Sequence, residues 1–256
     1  MKKLTPEELK KIKNLDTSYE NLYYIGNINL LYKKKIAIVG SRHPNSYAKQ
    51  YIAKISEKLS QNNICIVSGG AMGIDAIAHK SAGVANTIMV AGTGVDKRYP
   101  KINEKLIQDI ETQGLVISQF EPNTPSYPRN FAIRNRLIVN LADVLIVGYA
   151  DLKSGTMRSV EYALKMSKPI YVLPHRIEQS DGTNKLLEQG KAKAIYDIDK
   201  FVSLFGNVKS NNIQDEFLEY CKTNPTYDEA VIKYASKVFE YELMGKIEVK
   251  DGLIYS

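Results

Sequence analysis

From Lys35 onward short apolar runs alternate with stretches whose apolar residues recur every three or four positions, which is the signature of strands separated by amphipathic helices. The strands are predicted at Ile36 to Val39, Ile64 to Val67, Thr87 to Ala91, Leu115 to Ser118, Val144 to Tyr149, Ile170 to Leu173 and Lys193 to Tyr196. Between them, Ser46 to Ser60 places Tyr47, Tyr51, Ile52, Ile55 and Leu59 on one helical face, so this helix packs on the sheet. Similar patterns predict helices at Gly73 to Ala82, Ile102 to Thr112, Asn130 to Ala142, Gly155 to Met166 and Thr183 to Glu188. Strand and helix alternate up to about Phe205, which predicts an α/β fold: a Rossmann-like, mainly parallel sheet with helices on both faces. Residues 1–34 are expected to form an extension that packs on this core of residues 35–205.

Beyond it, Gly206 to Asn212 reads as a polar linker. Helical patterns follow at Ile213 to Cys221 and Tyr227 to Tyr241, then short β-prone runs, Lys246 to Val249 and Leu253 to Tyr255, on either side of Asp251-Gly252. Asp-Gly between such runs marks a hairpin. Residues 213–256 are therefore expected to be a small winged-helix-like domain. Its helices carry Asp215, Glu216, Glu219, Asp228 and Glu229, which favours a partner-binding or structural role over duplex DNA binding.

A hydrophobic content of 44% with 25% charged residues over 256 positions is that of a folded chain rather than a disordered one. The 35 Lys and Arg against 28 Asp and Glu give a net charge of +7, a weak pointer to phosphate-rich partners. Cys65 and Cys221 stand far apart with no zinc-ligand spacing, and no apolar run approaches the length that spans a bilayer. The expectation is a cytoplasmic protein with no membrane, metal or disulfide framework.

Three strand ends carry candidate chemistry. Strand Ile36 to Val39 runs into Gly40-Ser41-Arg42, where a glycine admits close backbone approach and the other two side chains can bond an anion; an ordinary turn with a solvated arginine fits equally well. The second strand ends in Ser68-Gly69-Gly70-Ala71-Met72-Gly73, which fails the GxGxxG dinucleotide fingerprint at its first glycine but still offers a phosphate cradle. Asp151 to Thr156, with Ser154, Gly155 and Thr156, suits either a phosphate or a helix cap. In addition, Tyr127 to Arg136 gathers Arg129, Arg134 and Arg136 around Phe131 and Asn135. Arginines that track a backbone beside a stacking ring would serve single-stranded nucleic acid, although periodicity alone favours Phe131 in the core and structural arginines. His43, His79 and His175 have no HExxH or cysteine partner, and Ser68 sits in no GxSxG elbow, so no catalytic residue is assigned.

Taken in order, these pieces resemble the DprA (Smf) family of DNA-processing proteins. The resemblance rests on Tyr19 to Leu31, Ile36 to Arg42, Val67 to His79, Gly92 to Pro100 with Asn103, Phe131 to Arg136, Ser154 to Thr156 and Gly182 to Leu187. It implies an extended Rossmann fold that forms a homodimer, binds and protects single-stranded DNA and loads the RecA recombinase in natural transformation, with no catalysis and no cofactor. The family's DNA contacts carry over to Gly40, Ser41, Arg42, Phe131, Arg134, Asn135 and Arg136, beside the candidates Ser68, Gly69, Gly70, Arg129, Ser154, Gly155 and Thr156. Two departures stand out: Met72 occupies the place of the family's arginine, and Val147-Gly-Tyr-Ala150 replaces its acidic Val-Glu-Ala turn. The closest enzyme alternative is a nucleoside-monophosphate phosphoribohydrolase, whose Gly-Gly-x-Gly-Thr-x-x-Glu motif would need a carboxylate where Ser159 stands; Glu161 is displaced along the helix. A nucleotide-sensing module is the third reading.

Overall fold

In the computed structural model, which describes residues 1–206, 216–243 and 245–255, the apolar runs become the strands of a nine-stranded sheet. These are β1 (Lys2–Lys3), β2 (Tyr23–Gly26), β3 (Lys35–Val39), β4 (Cys65–Ser68), β5 (Thr87–Val90), β6 (Leu115–Ser118), β7 (Val144–Val147), β8 (Ile170–Val172) and β9 (Lys193–Ala194). The helices are α1 (Pro6–Lys11), α2 (Ser46–Gln61), α3 (Ile74–Ala82), α4 (Glu104–Gln113), α5 (Pro128–Leu141), α6 (Thr156–Lys165), α7 (Asp181–Glu188) and α8 (Ile198–Ser203).

Alternation along each inner strand sends side chains to opposite faces. Ala37, Val39, Val67, Leu145 and Val147 pack with α5 and α6, whereas Ile36, Ile38, Ile66, Val144 and Ile146 pack with α2, α3 and α8. Because both faces are covered, these strands read as unbroken apolar runs.

The strand order is β1-β2-β6-β5-β4-β3-β7-β8-β9. From β3 to β9 every pairing is parallel, while β2 joins β6 antiparallel and β1 joins β2 antiparallel. The N-terminal segment thus supplies two strands of the sheet itself, and Leu4, Leu22, Leu30 and Leu31 are buried. From β3 the chain steps outward to β4, β5 and β6, then returns to place β7 on the other side of β3. Strand order therefore reverses between β3 and β7, where open α/β sheets form a crevice at their carboxyl edge.

Two local devices hold the helices that flank this crevice. Pro128 at the start of α5 has the fixed φ that a first helical turn needs. At the far end of α5, the Lys168 ammonium donates to the carbonyls of Val139 (2.8 Å), Asn140 (2.7 Å) and Ala142, and burial lowers its pKa to about 8. Among the described residues, no helix is long and apolar enough to cross a membrane.

Contacts divide the chain into two compact units, Met1–Val208 and Lys209–Ser256. The linker expected at 206–212 lies outside the described residues apart from Gly206, as do Ile213, Gln214 and Asp215 of the first expected C-terminal helix. The second unit holds α9 (Glu216–Cys221), α10 (Tyr227–Leu243, kinked at Tyr234), β10 (Glu248–Lys250) and β11 (Leu253–Tyr255) around Phe217, Cys221, Ala230, Val238, Ile247 and Ile254. Asp251 and Gly252 have φ of 51° and 75°, the paired left-handed geometry of a two-residue hairpin turn.

Candidate nucleic-acid interface

A cleft of about 450 Å³ lies at the crevice between β3 and β7. Gly40, Ser41 and Arg42 reach it from the end of β3, Ser154, Gly155 and Thr156 from the loop after β7, and Phe131, Arg134 and Asn135 from α5. The strand reversal thus brings together segments more than a hundred residues apart. The loop after β3 is anchored: Ser41 N–H donates to Tyr149 O at 2.8 Å, and Ser41 Oγ accepts from His43 N–H at 3.0 Å. Gly40 is required because a Cβ there would come within 2.5 Å of Ile74.

The glycine-rich turn after β4 is filled by the protein's own groups. The Asp75 carboxylate accepts from Gly69 N–H (3.1 Å) and Ala71 N–H (3.4 Å), and Ile74 N–H, at the start of α3, donates to Ser41 O at 3.2 Å. Ser68 is buried and its hydroxyl donates to Ile38 O at 2.6 Å; Gly70 O accepts from Asn103 at 3.0 Å. Arg134, only 5% exposed, donates through Nη1 to Gly69 O and to Val90 O (2.6 Å). Burial lowers its pKa to about 10, against the pull of Asp75, and burial likewise raises that of Asp75, opposed by Arg134 and the two amides. Arg134 is the clamp of this turn, with its charge at the wall of the cleft.

The turn before α6 is the opposite. Its helix has Gly155 at the N-cap and so no side-chain cap, and the hydroxyls of Ser154 and Ser159 are buried without a hydrogen-bond partner. Ser159 is 1% exposed and lines the cleft. The exposed Arg42 and Arg158 line the same cleft. Orphaned hydroxyls, an uncapped helix start and two cations make a site suited to an anion.

Phe131 is half-buried against Tyr99 (ring centroids 5.3 Å apart), and a Cβ on Gly92 would come within 2.6 Å of its ring. Arg129 is exposed beside Tyr127 and does not line the cleft. Arg136 faces elsewhere: it pairs with Asp16 at 2.8 Å and borders a separate hollow with Tyr19 and Gln119. Sequence reasoning missed Arg158, whose place two residues beyond Thr156 sets it on the first turn of α6, and the clamp of Asp75 and Arg134, which joins positions far apart in the chain. Glu161 is exposed on α6 while Ser159 faces the cleft, so the first turn of that helix brings no carboxylate to it.

A crevice at the reversal of a doubly wound sheet, edged by a helix N-terminus and arginines, marks a Rossmann-like α/β protein whose cleft is suited to an anion. The chain belongs to the DprA/Smf family: residues 2–206 match the family model of DNA recombination-mediator protein A. It is 36% identical over 173 residues to DNA processing protein DprA of Streptococcus pneumoniae, covering 66% of this chain and 61% of that protein. It is 34% identical over 177 residues to Protein Smf of Synechocystis, covering 66% of this chain and 44% of that one, so the chain spans about half the length of these relatives. Among solved structures, one reporting the single-stranded DNA binding mode of DNA processing protein A from Helicobacter pylori is similar with a TM-score of 0.75 and 41% identity, covering 79% of this chain and 94% of that one. The structure of the Streptococcus protein has a TM-score of 0.69 at 34% identity, covering 78% of this chain and 70% of that one.

Proposed function

We propose that this chain binds and protects single-stranded DNA in the cleft between β3 and β7, without performing chemistry on it. The observation that carries this reading is the pair of buried, unpartnered hydroxyls of Ser154 and Ser159 at the uncapped start of α6, in the cleft that Arg42 and Arg158 also line. A backbone phosphate suits the helix start and the two arginines, and Phe131 lines the same cleft where a base would lie. Asp75 is the one carboxylate among the residues that line the cleft, and it is buried and bonded to two backbone amides. Glycosidic hydrolysis needs a carboxylate free to face the sugar, so the phosphoribohydrolase reading is disfavoured. The Helicobacter relative's strand-binding mode supports the choice of ligand. The kinship supports a wider reading, in which the chain is a cytoplasmic recombination mediator that acts as a homodimer and loads the RecA recombinase onto incoming strands in natural transformation.

The test is a titration at several salt concentrations with oligo-dT, duplex DNA and AMP, with products monitored in the same samples. Selective binding of oligo-dT without hydrolysis is expected; saturation by AMP alone, or release of a free base, would overturn the proposal.

A further inference from the structure

Arg42 does not belong to the cleft alone. Its side chain also borders a second groove of about 500 Å³ on the other side of the loop after β3, with His43 as a further shared residue. That groove runs over the start of α2 and along α3. Its lining carries Lys49 and Lys80, both exposed, together with the apolar Met72, Ala76, Ile77 and Ile102, the last 74% exposed. None of its lining residues is acidic. Cations and apolar side chains lining one groove that shares Arg42 and His43 with the cleft match one ligand chemistry: a flexible polyanion whose other side is flat and apolar.

We propose that this groove is a second subsite for the same single strand, which passes over Arg42 from the cleft and continues with phosphates on Lys49 and Lys80 and bases against Met72 and Ile102. The inference rests on the strand-binding reading of the cleft. It also gives Met72 a role: where the family resemblance leads one to expect an arginine, a thioether places soft, polarisable surface under a base instead of a charge beside a phosphate. The strand then crosses the ridge between the two hollows, so its footprint on one chain is longer than the cleft itself.

The experiment compares a dT trimer with a dT decamer, the longer within the roughly 4–16 nucleotide range of single-strand footprints. The wild-type chain should bind both, the decamer more tightly and with a steeper salt dependence. Replacing both lysines (Lys49→Ala with Lys80→Ala) should leave trimer binding unchanged and lower the decamer's salt slope by roughly 1.4, two phosphates at ~0.7 each. Ile102→Ser, at an exposed position, should weaken the decamer about threefold with its salt slope intact. A decamer slope unchanged by loss of both lysines, or an equal loss on both lengths, would overturn the groove. Failure of the wild-type chain to bind either oligonucleotide would instead refute the cleft reading on which the groove depends.

Discussion

Two turns at the same edge of the sheet, one after β4 and one after β7, lead into helices of similar length, and they do opposite things. The first holds three glycines, Gly69, Gly70 and Gly73, the second two, Gly148 and Gly155. In the turn after β4 the backbone groups are spent internally, on Asp75, Arg134, Asn103 and Ser41, while the turn after β7 and the first turn of α6 keep one buried, unpartnered hydroxyl each, Ser154 and Ser159. The glycines after β4 serve close packing rather than a ligand: Gly70 and Gly73 take φ of 70° and 76°, and Gly69 lies against the Arg134 guanidinium. The turn after β4 has its groups engaged and little left for a phosphate; the segment after β7 has its backbone largely engaged too, but leaves two serine hydroxyls whose desolvation no hydrogen bond offsets.

The sharpest break of this contrast is Arg134→Met. It leaves the carbonyls of Gly69 and Val90 without their charged donor in a buried turn, so stability should fall by about 2–3 kcal/mol, read from urea unfolding. If the variant unfolds like wild type and loses only DNA affinity, the satisfied turn is a binding site after all. Next in size is Ser159→Ala, which removes an orphaned hydroxyl: oligo-dT affinity should drop about five- to tenfold, while stability rises by ~1 kcal/mol. The mirror experiment, Ser68→Ala, deletes a made hydrogen bond to Ile38; it should cost about 1 kcal/mol of stability and leave affinity unchanged.

The smallest effect near neutrality is a pH dependence behind the satisfied turn. His79 is fully buried on α3, 2.5 Å from Thr87 Oγ1, and desolvation lowers its pKa from 6.5 to about 3. The unfolded chain takes up a proton below pH 6.5 that the folded chain refuses until about pH 3, so stability is full above that window and lost as pH falls through it. The loss should be ~1 kcal/mol at pH 6 and grow below it. His79→Gln should flatten this part of the curve; the same acid slope in the variant would assign it to other groups.

Much of the fold was legible because inner strands covered on both faces must be continuously apolar and their helices amphipathic. Leu115–Ser118 falls where the pattern predicts it, and α2, α3 and α6 agree within a residue or two at each end. Missed were β1, β2, α1 and α8, all six residues or fewer, because a single helical turn or a short edge strand leaves too few positions for a period to show. In the site, Gly40 to Arg42 and Ser154 to Thr156 stand out as strand-end turns before helices, and the structure places both on one cleft. The arginine cluster of α5 was less readable: Arg129, Arg134 and Arg136 look alike in sequence, but helical geometry turns them to solvent, to the buried clamp and to Asp16.

What the sequence by itself determined is the alternation of buried strands and amphipathic helices, the hairpin at Asp251-Gly252 and the family, since each is written in local periodicity or in the order of motifs. Only the tertiary structure decided which phosphate-like turn is open. That depends on whether Asp75, Arg134, Asn103 and Ser41 arrive from elsewhere to occupy its donors and acceptors, and whether anything arrives for Ser154 and Ser159. Hydrogen-bond satisfaction is a property of neighbours in space, and a one-dimensional pattern does not contain it.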